Sequence, residues 1–132
     1  MEQLVKGVAH VGIRVANLER SLGFYRHFGF ELVAGPIGPE PVVILKNASG
    51  TELNLILNAQ SERAHNVLMD EPVKHAGYTH IALECDDIAA AQVALERVGI
   101  ALSGGPVTFP HGHKAIFVRD PDRNVLELHQ GL

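Results

Sequence analysis

The sequence predicts an α+β fold made of two βαβββ modules, arranged as an open, cup-shaped mixed sheet with helices on its outer face. Three observations lead there. The first is an internal repeat: a shift of 70 positions lays His10-Val-Gly-Ile-Arg-Val over His80-Ile-Ala-Leu-Glu-Cys, Asn17 over Asp87 and Gly29 over Gly99. The second is the order of periodicities, because a strand-like run, a helical stripe and three more strand-like runs follow one another in both halves. The third is parity: alternate residues along a strand face opposite sides of a sheet, and in both halves this sorts polar from apolar side chains.

Taken in order, residues Val8 to Val15 read as the first strand and Leu18 to Phe28 as the first helix, with Asn17 as N-cap and Gly29 at the C′ position. Leu18, Leu22, Tyr25 and Phe28 recur at helical spacing and should lie on the sheet. Glu31 to Ala34, Val42 to Lys46 and Glu52 to Leu57 complete the first module, with Gly35 to Pro41 as a Pro/Gly loop. Gln60 to Gly77 is a polar connector. The second module repeats the order, with a strand at Thr79 to Cys85 and a helix at Ile88 to Val98 that is capped by Asp87 and Gly99. Its helical stripe is Ile88, Ala91, Leu95 and Val98, and its remaining strands are Ala101 to Ser103, Lys114 to Arg119 and Val125 to His129. The modules span about 5–59 and 78–131 of a single domain covering 1–132.

Composition removes several functions. A chain of 132 residues, 46% hydrophobic and 20% charged, suffices for one domain with a fair core. The net charge of −4, with scattered Lys and Arg, leaves no basic patch and argues against a nucleic-acid partner. No apolar run approaches the roughly 20 residues that span a bilayer, and the Met-Glu-Gln start does not resemble a signal peptide, so no membrane partner and a cytoplasmic location are expected. Cys85 is alone on a strand and reads as a small core residue rather than as half of a disulfide.

Parity also gathers the chemistry. His10, Gly12 and Arg14 share one face of the first strand, while Ala9, Val11, Ile13 and Val15 share the face that the helix covers. Glu52, Asn54, Ile56 and Asn58 oppose Leu53, Leu55 and Leu57; His80, Ala82 and Glu84 oppose Ile81, Leu83 and Cys85; Glu127 and His129 oppose Leu126 and Leu128. A helix-free face with two histidines at matching strand positions, among carboxylates and amides, suits a metal cup with one histidine from each half. His113, in phase with Ala115 and Phe117, turns toward the same face and is a candidate for acid–base work, whereas His111 reads as a loop residue. His27, His65 and His75 fall on a helix or in the connector and carry no expectation.

The segments HVGIRVANLERSLGFYRHFGFELV, YTHIALECDD and AIFVRDPDRNVLELHQ resemble the vicinal oxygen chelate superfamily, which includes glyoxalase I, extradiol dioxygenases, fosfomycin-resistance thiol transferases and bleomycin-resistance proteins. The resemblance runs over essentially the whole chain. It implies metal ligands on the first and fourth strand of each module, at His10, Asn54, His80 and Glu127, with Asn54 standing where many relatives carry Glu or Gln. Arg14 and Asn58 match positions that help hold glutathione in glyoxalase I, and Asp120-Pro-Asp122 matches a turn typical of the family.

What the resemblance implies is a divalent-metal enzyme (Ni, Zn, Mn or Fe) acting on a small substrate with vicinal oxygens, most of all a glyoxalase I-like lyase with glutathione as co-substrate. Glu127 is then the one carboxylate that would touch the metal, and Glu52, about 7 Å along the strand from Asn54, is a substitute base. An Fe(II) extradiol-type dioxygenase is the runner-up, since two His and one carboxylate form a facial triad, but the Tyr of its signature is Phe117 here. Thiol transfer to fosfomycin meets Gly12 and Phe117 where Thr and Tyr are expected. A non-catalytic drug-binding protein of this fold is opposed by the retained His10, His80 and Glu127. A homodimer is expected, with modules able to pair between chains through the long connector.

Overall fold

A computed structural model describes residues 3–60 and 65–132; connector positions 61–64 lie outside the described residues. The backbone divides into two compact units, Met1–Glu62 and Arg63–Leu132. The first contains β1 (Val11–Arg14), α1 (Leu18–Arg26), β2 (Glu31–Ile37), β3 (Val42–Lys46) and β4 (Glu52–Ile56). The second contains α2 (Val67–Asp70), β5 (His80–Glu84), α3 (Ile88–Arg97), β6 (Gly104–Thr108), β7 (Lys114–Arg119) and β8 (Val125–Gln130). The class is α+β, and βαβββ occurs in both units. The sheets have orders β1-β4-β3-β2 and β5-β8-β7-β6, and in each the first and last strands of the module run parallel while the other pairs are antiparallel.

Both long helices start and stop where their punctuation says. Asn17 and Asp87 accept the backbone N–H of Arg20 and Ala90, three residues on, and so satisfy a donor that the first turn leaves open. At the other end Gly29 and Gly99 have φ of +88° and +76°, and Phe30 and Ile100 donate back to the carbonyls of Tyr25 and Leu95. These bonds close a Schellman-type end that needs a left-handed residue. The helices proper stop at Arg26 and Arg97, slightly short of the predicted Phe28 and Val98, because those residues already belong to the closing turn. The apolar stripes are covered on Tyr25, Ile88 and Leu95, with Phe24 and Ser21 added, but Val98 is exposed.

Three local expectations are corrected. The strand predicted at Ala101 to Ser103 lies instead at Gly104–Thr108, in a Gly-Gly-Pro run that reads as a breaker. Proline is accepted there because β6 is a sheet edge, where a missing N–H removes no interior ladder bond. The predicted loop Gly35 to Pro41 is likewise partly strand, since edge strand β2 runs on to Ile37. Pro36 and Pro106 both follow cis peptide bonds and share the repeat's offset. Within the connector, Asn66 caps the one-turn helix α2 by accepting from Leu68 and Met69, and Arg119 grips Asp70 through two 2.8 Å hydrogen bonds.

Packing obeys the alternation. Leu53 and Leu55 of β4, Val43 and Leu45 of β3, and Ile116 and Val118 of β7 are fully buried, whereas Glu52, Asn54 and Ile56 are half-buried on the opposite face. Cys85, just past the end of β5, is half-buried rather than a core residue.

Candidate functional site

Register gives the two modules the same local frame. In the parallel pairing of β1 with β4, Gly12 lies beside Asn54, and in that of β5 with β8, Ala82 lies beside Glu127. Since Gly12 and Ala82 each follow a histidine by two residues, Asn54 stands to His10 as Glu127 stands to His80. The four predicted ligand positions are therefore equivalent by hydrogen-bonding register as well as by parity.

In the first unit, His10 lies one residue before β1 and its side chain is 47% exposed. Its Nδ1 faces the Glu52 carboxylate at 3.6 Å, and Glu52 is also 3.7 Å from Lys46 Nζ. This carboxylate is thus engaged with the imidazole on its own sheet face. Asn54 Oδ1 is buried and has no hydrogen-bond partner among the described residues, a costly state for an amide oxygen. Further along, Arg14 Nε donates to Asn58 Oδ1 at 2.8 Å, and Asn58 Nδ2 donates to Glu40 Oε1 at 3.2 Å. Glu40 Oε1 also lies 3.5 Å from Arg14 Nη2. The structure brings Arg14 and Asn58 together and adds Glu40, which stands in the turn before β3 where no periodicity marks it.

The second unit holds a denser group. His80 Nε2 is 3.1 Å from Glu127 Oε1, and the opposite ring nitrogen, Nδ1, is 2.8 Å from Thr79 Oγ1. Glu127 is almost wholly buried, its side chain 8% exposed, and its second oxygen is 2.6 Å from His129 Nδ1. His129 Nε2 is in turn 2.8 Å from His113 Nδ1. His113, predicted by parity to reach this face, does so. Phe117 pairs across from Glu127 and meets the His80 ring edge-on at 6.1 Å. Burial, with the nearby His111 and His129 rings, lowers the pKa of His113 and favours its neutral form.

Glu127 owes its position to the turn before it. Asp120 Oδ1 accepts the backbone N–H groups of Asp122 and Asn124, both at 2.9 Å, and Asp120 Oδ2 accepts Asn124 Nδ2 at 2.9 Å. This buried carboxylate satisfies the turn and delivers Val125 into register with His80. The residues that reading the sequence underrated are Thr79 and His129. Both are adjacent to or in phase with a predicted ligand, and that was their only signal.

Two donor atoms about 90–110° apart on one ion, each at about 2.1 Å, are themselves about 3.0–3.4 Å apart. The His80–Glu127 spacing of 3.1 Å fits such a pair. Thr79 occupies His80 Nδ1, so Nε2, which faces Glu127, is the ring nitrogen that could reach an ion. Among the described residues no three His, Cys, Asp or Glu side chains are already gathered to hold an ion; His80 and Glu127 are a neighbouring pair.

Comparison with known proteins gives a consistent picture. The family model described as Glyoxalase/Bleomycin resistance protein/Dioxygenase superfamily matches residues 7–128. A lactoylglutathione lyase of Neisseria meningitidis is 33% identical over an alignment of 126 positions that covers 92% of this chain and 88% of that protein. The metallothiol transferase FosB of Shouchella clausii is 27% identical over an alignment of 134 positions that covers 97% of this chain and 82% of that protein. Among solved structures, a glyoxalase family protein from Enterococcus faecalis aligns with a TM-score of 0.79 at 26% identity, covering 97% of this chain and all of that one.

Proposed function

The chain belongs to the glyoxalase/bleomycin resistance protein/dioxygenase superfamily, and from that premise we propose that it is a divalent-metal-dependent lyase of the lactoylglutathione type, acting on a small substrate with vicinal oxygens. One observation supports the proposal: the side chains at the expected ligand positions place a carboxylate beside an imidazole and leave a buried amide oxygen unpaired among the described residues. His10 and His80 each turn Nδ1 to a neighbour, Glu127 presents one oxygen beside His80 Nε2, and Asn54 holds a buried oxygen with no partner among the described residues.

In this reading His10, His80 and Glu127 hold the metal and Asn54 adds a neutral oxygen; two imidazoles, a carboxylate and an amide suit Ni, Zn, Mn or Fe. When bound, such an ion lends Lewis acidity to two adjacent substrate oxygens and stabilises the negative charge that develops there. The proton that moves between neighbouring carbons of a thiohemiacetal needs a protein base. His113, neutral and carrying a ring nitrogen away from its His129 contact, is favoured for this over Glu52, which already faces His10 Nδ1. Arg14 and Asn58 anchor glutathione, with Glu40 holding the guanidinium in place. The protein works in the cytoplasm as a homodimer whose modules can pair between chains.

The test is metal analysis of protein purified without added metal, followed by assays with Ni, Zn, Mn and Fe on a methylglyoxal–glutathione thiohemiacetal and, under oxygen, on a catechol. Turnover of the thiohemiacetal, together with loss of metal from His10→Ala, His80→Ala and Glu127→Ala, is the expected result. Oxygen uptake with the catechol and no reaction with the thiohemiacetal replaces the lyase by a dioxygenase. Failure of the parent to bind any metal leaves a non-catalytic binding protein.

A further inference from the structure

We infer that His129 is a positioning residue that ties Glu127 to His113: one ring holds the outer oxygen of the carboxylate and dictates which nitrogen of His113 carries a proton. The inference rests on the metal-site reading only for the role of Glu127.

Hydrogen-bond polarity makes the argument. An ionised carboxylate can only accept, so at 2.6 Å from Glu127 Oε2 the Nδ1 of His129 must be the donor. In a neutral imidazole the other nitrogen is then an acceptor. His129 Nε2 lies 2.8 Å from His113 Nδ1, so with a neutral His129 ring it is His113 Nδ1 that carries the proton and His113 Nε2 that keeps the lone pair. His111 is set by the same logic, because its Nδ1 accepts the backbone N–H of His113 at 3.1 Å. Burial, then the His111 and His129 rings, lowers the pKa of His113 and so favours the neutral ring.

The ring that does this is itself held. His129 stacks on Phe109 with centroids 6.2 Å apart and planes 18° from parallel, and it meets His113 edge-on at 5.0 Å. For Glu127 the consequence is directional. With Oε2 taken by His129, only Oε1 is left to face His80, so the carboxylate offers one oxygen rather than two to an ion. Partners that orient a ligand in this way typically contribute about 10–100-fold to metal affinity. For His113 the consequence is a base with a single defined tautomer, its unprotonated nitrogen directed away from the chain of rings.

Two measurements on the 132-residue chain test it. Long-range 1H–15N spectra of the metal-free protein report histidine tautomers directly. His113 is expected as the Nδ1–H form in the parent and as a mixture, or the Nε2–H form, in His129→Phe, which keeps the stack on Phe109 but has no ring nitrogen. Competition with a chelator for Zn2+ is expected to show about 10–100-fold weaker binding in His129→Phe, and a smaller loss in His129→Gln, whose amide can still donate to Glu127. An Nε2–H tautomer of His113 in the parent overturns the inference without any variant. Parent-like Zn2+ affinity in His129→Phe, or an equal loss in the Gln variant, overturns it as well. A parent that binds no Zn2+ instead counts against the metal-site reading, and the tautomer measurement then decides the His129–His113 link alone.

Discussion

Replacing Asn54 by Leu should stabilise the metal-free protein. Leu branches at the same carbon as Asn, so it occupies nearly the same shape between the register neighbours Gly12 and Ile44. What it removes is an amide oxygen that is buried and has no partner among the described residues. An unsatisfied buried acceptor costs about 1–3 kcal/mol, and the added apolar contact offsets part of any mismatch in fit, so a net gain of about 1–2 kcal/mol is expected. For a chain of this size each kcal/mol moves Tm by roughly 3–5 °C, giving a rise of roughly 3–10 °C in EDTA by scanning calorimetry. Metal changes the comparison. At a free concentration of 100 Kd a ligand stabilises the native state by about 2.7 kcal/mol, and the parent, with its extra donor, should gain more than the variant. The gap should therefore narrow or reverse when Zn2+ replaces EDTA. A variant that melts below the parent in EDTA would refute the reasoning, because Asn54 Oδ1 would then be contributing to the fold rather than waiting for a ligand.

Two further predictions follow from the same geometry. Asn54→Glu puts a carboxylate at the position equivalent to Glu127, and in a lyase it should tighten metal binding and raise thiohemiacetal turnover, while in a dioxygenase it should block the open position and lower activity. The Arg119 guanidinium, then the backbone N–H of Asn66, hold the Asp70 carboxyl well below the usual carboxylate range. A lowered folded-state pKa contributes stability in full above the ordinary value of about 4, and that contribution disappears as the pH falls further. The urea midpoint of the parent should accordingly exceed that of Asp70→Asn by a constant amount above about pH 5, with the difference shrinking below about pH 4; a difference independent of pH would remove Asp70 as its source.

The repeat made much of this legible. His10 and His80 were found because the same local sequence surrounds both, and the cap residues Asn17, Asp87, Gly29 and Gly99 fixed the helices because each supplies a specific missing bond or backbone angle. Parity placed His113 and His129 on the face of Glu127. Local signals failed where tertiary position decided the outcome. Gly104-Gly105-Pro106 is a breaker by propensity and a strand only because it occupies an edge, and Asn66 caps α2, whose single turn is too short to show helical periodicity. The Glu40 contact with Arg14 and the Arg119 grip on Asp70 join residues distant in the chain, so no spacing rule could announce them.

The two ends of the proposed donor set differ in how readily they open. Glu127 lies on β8, an interior strand between β5 and β7 whose residues Val125 to Leu128 are all buried, so its amides should exchange with solvent only through large-scale unfolding. His10 precedes an edge strand, and the residues leading to it, Leu4, Val5 and Val8, are 91%, 69% and 84% exposed. Amides there should exchange by local fraying at almost no free-energy cost. In the proposed site Glu127 is therefore preformed, whereas the loss of freedom on binding falls on the lead-in to His10, and protection gained on metal addition should appear first at that end.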